Sequence, residues 1–248
     1  MRRLLVLVLA AILLPSSAAA KSHLWRFDEV FSNADGSIQF IEMFVSDPAG
    51  TNETFLQGKT LESDANTYTF ESNLPPENTF QTWFLVATPA FAALPGAPTP
   101  DFVMPPGFFD PAGDELRYGT ILDVLPIPSD GSFPVDGVDG YLRDGTVAPN
   151  FPTNFAGEAA HVDARPCVDL LDNDGDGYAD VGGDPACRDE AWPREDSRCQ
   201  DGVDNDGRTG TDFDGGASIL GAGGVDPEGA DPDCLAKPWR NTEGASSS

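Results

Sequence analysis

The sequence predicts a mainly β protein: a two-sheet β-sandwich followed by a loop-rich, disulfide-linked module. Three observations carry this. The 248 residues include 22 Pro and 26 Gly, which punctuate turns and interrupt long helices. Apolar residues in the first two thirds come in short alternating runs, the period of half-buried strands. All four cysteines, Cys167, Cys187, Cys199 and Cys234, fall in the last third, where those runs give way to Asp and Gly.

Residues 1–20 read as a secretory signal, with Arg2 and Arg3 as the basic start, an apolar run over 4–14, and Ala18, Ala19 and Ala20 as the small residues before a mature start at Lys21. That run is too short for a membrane span of roughly 20 residues, and no second one follows. The expected product is therefore secreted, extracellular or periplasmic. The formal charge is −27, and loss of two arginines leaves −29, which excludes a general nucleic-acid binder. Four cysteines in an exported chain imply two disulfides, with three pairings open; Cys167 with Cys187 and Cys199 with Cys234 is favoured because each pair then closes one copy of a repeat.

The composition divides the mature chain near residue 160, giving a sandwich over 21–160 and an acidic module over 161–248. Strands are expected at 24–30, 37–45, 67–70, 83–87, 115–118, 121–125 and 138–142, with Asp35-Gly36 and Asp47-Pro48 as turns. Seven strands suit two packed sheets. The prolines between 90 and 111 argue against a helix or central strand there and for an ordered loop pinned by Phe91, Phe102, Phe108 and Phe109. Trp25 and Trp83, at alternating strand positions, read as core rather than as a sugar-binding face.

Trp25-Arg26-Phe27-Asp28-Glu29-Val30, Phe40-Ile41-Glu42-Met43, the run from Phe55 through Leu61, and Phe84-Leu85-Val86-Ala87 together resemble the lamin-tail domain of exported bacterial proteins. The resemblance covers roughly 24–145 and implies an immunoglobulin-like β-sandwich used for binding or attachment. The proline-rich segment departs from a compact version of that domain.

The acidic module contains a duplication. Cys167-Val168-Asp169-Leu170-Leu171-Asp172-Asn173-Asp174-Gly175 returns as Cys199-Gln200-Asp201-Gly202-Val203-Asp204-Asn205-Asp206-Gly207. Asp184-Pro185-Ala186-Cys187 returns as Asp231-Pro232-Asp233-Cys234, and Trp192 and Trp239 follow at equal distance. The second copy carries a Gly-rich insertion between Asp214 and Asp231.

In the first copy Asp172, Asp174, Asp176 and Asp180 stand at positions 1, 3, 5 and 9 of an EF-hand-like loop, with Gly177 at 6 and Tyr178 offering a backbone carbonyl at 7. Position 12 is Gly183, so the bidentate glutamate is missing, and Asp184 or Asp169 is the candidate to complete the shell. The closer resemblance is to the calcium loops of thrombospondin type 3 repeats, which combine Asp-rich turns with disulfides. Hard oxygen ligands without a nearby histidine select Ca2+ over zinc or copper. An acidic solvated tail explains the charge but not the two-residue spacing, the glycines or the repetition. The second copy keeps Asp204, Asp206, Asp212 and Asp214 but has Arg208 in place of Asp176, which leaves its site open. Carboxylates held within about 5 Å repel unless a cation lies among them, so 161–248 is expected to order around calcium.

No catalytic motif is evident. His23 and His161 stand alone, Glu29 and Glu42 are acids on strands, and there is no nucleophile elbow, zinc helix or phosphate loop. The sequence therefore points to a secreted, non-enzymatic, calcium-binding attachment protein whose partner is a glycan or cell-envelope ligand. A self-associating matrix spacer is the alternative, and an exported hydrolase with an unfamiliar site the weaker third.

Overall fold

A computed structural model of the chain describes residues 22–119, 121–192, 194–195, 197–208, 210–216 and 229–242. The signal segment 1–20, its cleavage point and most of the Gly-rich insertion lie outside these residues. Ten strands form two sheets: β1 (Arg26–Ser32), β2 (Gln39–Phe44), β3 (Thr60–Glu62), β4 (Thr67–Thr69), β5 (Trp83–Ala87), β6 (Phe102–Val103), β7 (Asp114–Tyr118), β8 (Asp123–Ile127), β9 (Asp139–Leu142) and β10 (Val147–Pro149). The larger sheet runs β10-β9-β1-β2-β5-β6 and the smaller β4-β3-β7-β8. Every pairing is antiparallel except β5 with β6.

The seven expected strands all form, with boundaries shifted by up to two residues. The three others, β3, β6 and β10, have two or three residues each, too few to show a period. The proline-rich segment differs from expectation. Pro89–Ala93 makes one helical turn, α1, with Pro89 at its start and the Thr88 hydroxyl accepting from Phe91 N at 3.4 Å. Phe102–Val103 adds a short edge strand, a position where flanking prolines are tolerated. Phe91, Phe102, Phe108 and Phe109 are all buried, as the loop reading required.

One core lies between the sheets. Phe27, Val30, Ile41, Met43, Phe84 and Val86 of the larger sheet meet Leu61, Leu116, Tyr118, Leu125 and Ile127 of the smaller. Trp25 is fully buried there, edge-on to Phe84, with its indole N–H on Glu53 O at 2.7 Å. Trp83 points to the other face and stacks on Phe44 at 4.5 Å.

That outer face is also covered. Phe31, Phe40, Leu85 and Ala87 pack under Phe91 and Leu94 from α1 and its end, and under Val162 and Ala164 arriving from the acidic module. This explains why β5 is apolar at every position: both of its faces are buried. Asn150 fastens the covering segment, donating to Val162 O at 2.9 Å and accepting from Val162 N at 3.0 Å. A bulge in β1 between Phe27 and Glu29 breaks the alternation and sets Glu29 opposite Glu42. Both carboxylates are buried, taking N–H groups of Phe151 (3.2 Å) and Thr153 (2.6 Å). Gly140 leaves room for this carboxylate, since a Cβ there would lie 1.9 Å from Glu29 Oε1 and displace it.

Candidate metal centre

The acidic module has no helix or regular strand among the described residues, so turns and disulfides shape it. Cys167 joins Cys187 and Cys199 joins Cys234, the pairing in which each bridge closes one repeat. Bridges spanning 20 and 35 residues restrain the unfolded chain by about 3–4 kcal/mol each in the entropic account, without specifying the loop inside.

The duplication extends to the hydrogen bonds. Asp172 Oδ1 accepts from Gly175 N at 2.7 Å, and Asp204 Oδ1 from Gly207 N at 2.6 Å. Val181 N donates to Cys167 O, and Phe213 N to Cys199 O. The side-chain amides of Asn173 and Asn205 hold Asp169 and Asp201. Asp180 and Asp212 both adopt a left-handed backbone and accept from the N–H of residue 170 and 202 respectively.

Within the first loop, oxygens of Asp172, Asp174 and Asp176 lie within 4.8 Å of one another. Asx turns produce this: Asp172 takes the N–H groups of Gly175 and Gly177, Asp174 that of Asp176, and Asp176 that of Tyr178. Gly177, at φ 94°, supplies the sharp reversal. Asp184 lies outside that group but near enough for its charge to act on Asp174. It is 3% exposed and its Oδ2 has no hydrogen-bond partner.

The electrostatics describe an anionic nest. Loss of hydration, with Asp176, Asp184 and Asp172 adding repulsion, pushes the Asp174 carboxyl up to about 6. Burial, then the charges of Asp176 and Asp172, raises Asp184 to about 6 as well, against the hydrogen bonds it accepts. A divalent cation among these oxygens would remove the repulsion and replace the lost hydration.

Other predicted ligands are outside the three-acid group and bonded within the loop. Asp180 folds back onto Leu170 N, and Asp169, raised to about 6 chiefly by burial, is engaged by Leu171 N and Asn173. Tyr178 stands beside the cluster through its N–H on Asp176. Among the described residues, Asp204, Asp206, Asp212 and Asp214 form no comparable three-acid group. There the Arg208 guanidinium lies 3.4 Å from Asp206 and 3.7 Å from Asp233.

Two residues escaped the sequence reading. Glu195, buried, accepts from Asn173 N and Asp180 N, both at 2.7 Å, and so ties the ends of the first loop together. Burial raises its carboxyl to about 7. It also approaches the Cys167 and Cys187 sulfurs, but these are bonded to each other and offer no thiolate. Glu195 comes from outside the loop and no spacing announces it. Gln200 is the other, and its signal was available: it follows Cys199 where Val168 follows Cys167.

A cleft of about 930 Å³ separates the sandwich from this loop, walled by Asn33 and Val135 on one side and by Asp174, Trp192, Arg165 and Glu195 on the other. Asp174 thus faces both the acid cluster and the cleft. Glu29 and Glu42, sealed beneath 151–153, reach neither. Among the described residues no helix is long and apolar enough to cross a membrane. The chain matches no protein-family model, no curated protein and no solved structure.

Proposed function

We propose that the chain is a secreted, non-enzymatic calcium-binding protein in which a lamin-tail-like, immunoglobulin-like sandwich serves as an attachment module and the first repeat holds one Ca2+. The observation that carries this is the grouping of Asp172, Asp174 and Asp176, whose oxygens lie within 4.8 Å of one another, with the buried Asp184 carboxylate close enough for its charge to act on Asp174. All are hard oxygen donors, the set that selects calcium. The signal-like segment 1–20 and the two disulfides support export into an oxidising compartment. The cleft beside Asp174 is where a glycan or cell-envelope group would meet the sandwich, with calcium fixing one of its walls.

The second repeat needs no ion in this reading, because Arg208 brings a covalently attached cation to Asp206 and Asp233. Isothermal calorimetry of calcium into the full chain tests the assignment. One site is expected with a dissociation constant on the order of 0.1–1 mM, the range of extracellular calcium modules. Asp174→Ala should abolish it, and unchanged binding by that variant would overturn the assignment.

A further inference from the structure

Gln200 belongs to the second repeat, yet its side chain lies in the first repeat's acid cluster. Its Nε2 is 2.5 Å from Asp176 Oδ2, and its carboxamide also acts on Asp184. The residue is 1% exposed, and its Oε1 has no hydrogen-bond partner. A buried amide oxygen left unmet is destabilising, and the equivalent position of the first repeat carries Val168, whose side chain needs no partner. A buried oxygen without a partner, Gln200 Oε1, therefore belongs to a side chain that touches Asp176 and acts on Asp184.

We propose that Gln200 supplies its carboxamide oxygen to the cation held by Asp172, Asp174, Asp176 and Asp184, so that a single ion binds the second repeat to the first. This rests on the calcium reading of the first loop. The chemistry is an exchange of amide ends. With carboxylates alone around it, the amide turns its N–H group toward Asp176. A cation inverts that preference, and half a turn about the terminal side-chain bond presents Oε1, an ordinary calcium ligand. The asymmetry between the copies follows from their order. The first repeat has a neighbour downstream to complete its shell, whereas the second has Arg208 where the first has Asp176.

The test is calcium calorimetry and amide exchange on the full chain, comparing Gln200→Val, Gln200→Glu and Asp174→Ala with the parent. Gln200→Val installs the residue that the first repeat tolerates, and it should weaken calcium by about tenfold or more. In that variant calcium should still protect 172–180 but no longer 197–208. Gln200→Glu adds a ligand charge at the same volume and should bind calcium more tightly than the parent. If both variants bind like the parent while Asp174→Ala does not bind, the inter-repeat ligand is overturned and the calcium site stands. If the parent itself binds no calcium, both readings fall.

Discussion

Glu29 and Glu42 show what a buried acid does to stability when no cation accompanies it. Burial, with Asp28 adding repulsion, raises Glu29 to about 7; burial, Asp28 and Glu29 raise Glu42 to about 9, against the N–H groups of Phe151 and Thr153. Both folded values lie above the ordinary carboxylate value of 4.5, so the folded protein retains protons that the unfolded chain releases. Stability is thus greatest below pH 4.5 as far as these two groups are concerned, and it falls as pH rises toward 7 and, for Glu42, on toward 9. Each group contributes a slope of up to about 1.4 kcal/mol per pH unit. Glu42→Gln keeps an acceptor for Thr153 N and should roughly halve the decline between pH 5 and 7 in urea denaturation. A slope equal to the parent's would show that Glu42 ionises freely in the fold.

Gln39 is a second decisive residue. Its fully buried carboxamide donates to Phe109 O at 2.8 Å and Ser32 Oγ at 3.1 Å, and accepts from Phe108 N at 2.7 Å. It fastens the proline-rich loop to β2. Gln39→Leu strands two buried backbone groups, with an expected loss of about 2–4 kcal/mol on chemical denaturation.

At the scale of elements, the two repeats form a paired experiment. Several of their hydrogen bonds match, so up to the insertion after Asp214 differences in chemistry come from substitutions within a common frame. Arg208 is the largest of these. Replacing it by Asp restores the acid found at 176 and removes the attached cation. Arg208→Asp should raise the calorimetric stoichiometry from one calcium to two; a stoichiometry that stays at one would show that the second loop lacks ligands beyond the missing acid.

For the whole molecule, the division near residue 160 is crossed by packing. Val162 and Ala164 bury themselves on the outer sheet face, and Ala164 N donates to Gly137 O at 2.8 Å. The sandwich has a core of its own, whereas the acid cluster has like charges and two bridges. Removal of calcium by chelator should therefore leave amides of β1, β2, β5 and 162–164 protected from exchange, and speed exchange across 172–184. Equal protection with and without the metal would mean that the disulfides alone order the loop. At 10 mM calcium and a dissociation constant near 0.1–1 mM, the linked stabilisation is about 1.4–2.7 kcal/mol.

How much of this was legible depended on range. Strands such as Asp114–Tyr118 and the Asx-turn loop at 172–178 are specified by residues a few positions apart, and period or spacing reveals them. The disulfide pairing followed from the duplication, because bridges confined to one unit are copied with it. The short strands and the one-turn helix at Pro89–Ala93 carry too few residues for a pattern, and their neighbours hold them in place.

The sequence alone determined a mainly β chain, a distal Asp-rich duplication, and the alternate carboxylates of its first copy. Only the tertiary structure decided that Gln200 reaches Asp176, that Glu195 ties the loop's ends, and that Glu29 faces Glu42 under 151–153. The physical reason is that spacing encodes contacts made within a turn or strand. A ligand or cover arriving from 15 to 122 residues away is placed by packing and by the loss of water around charge, which leave no period behind.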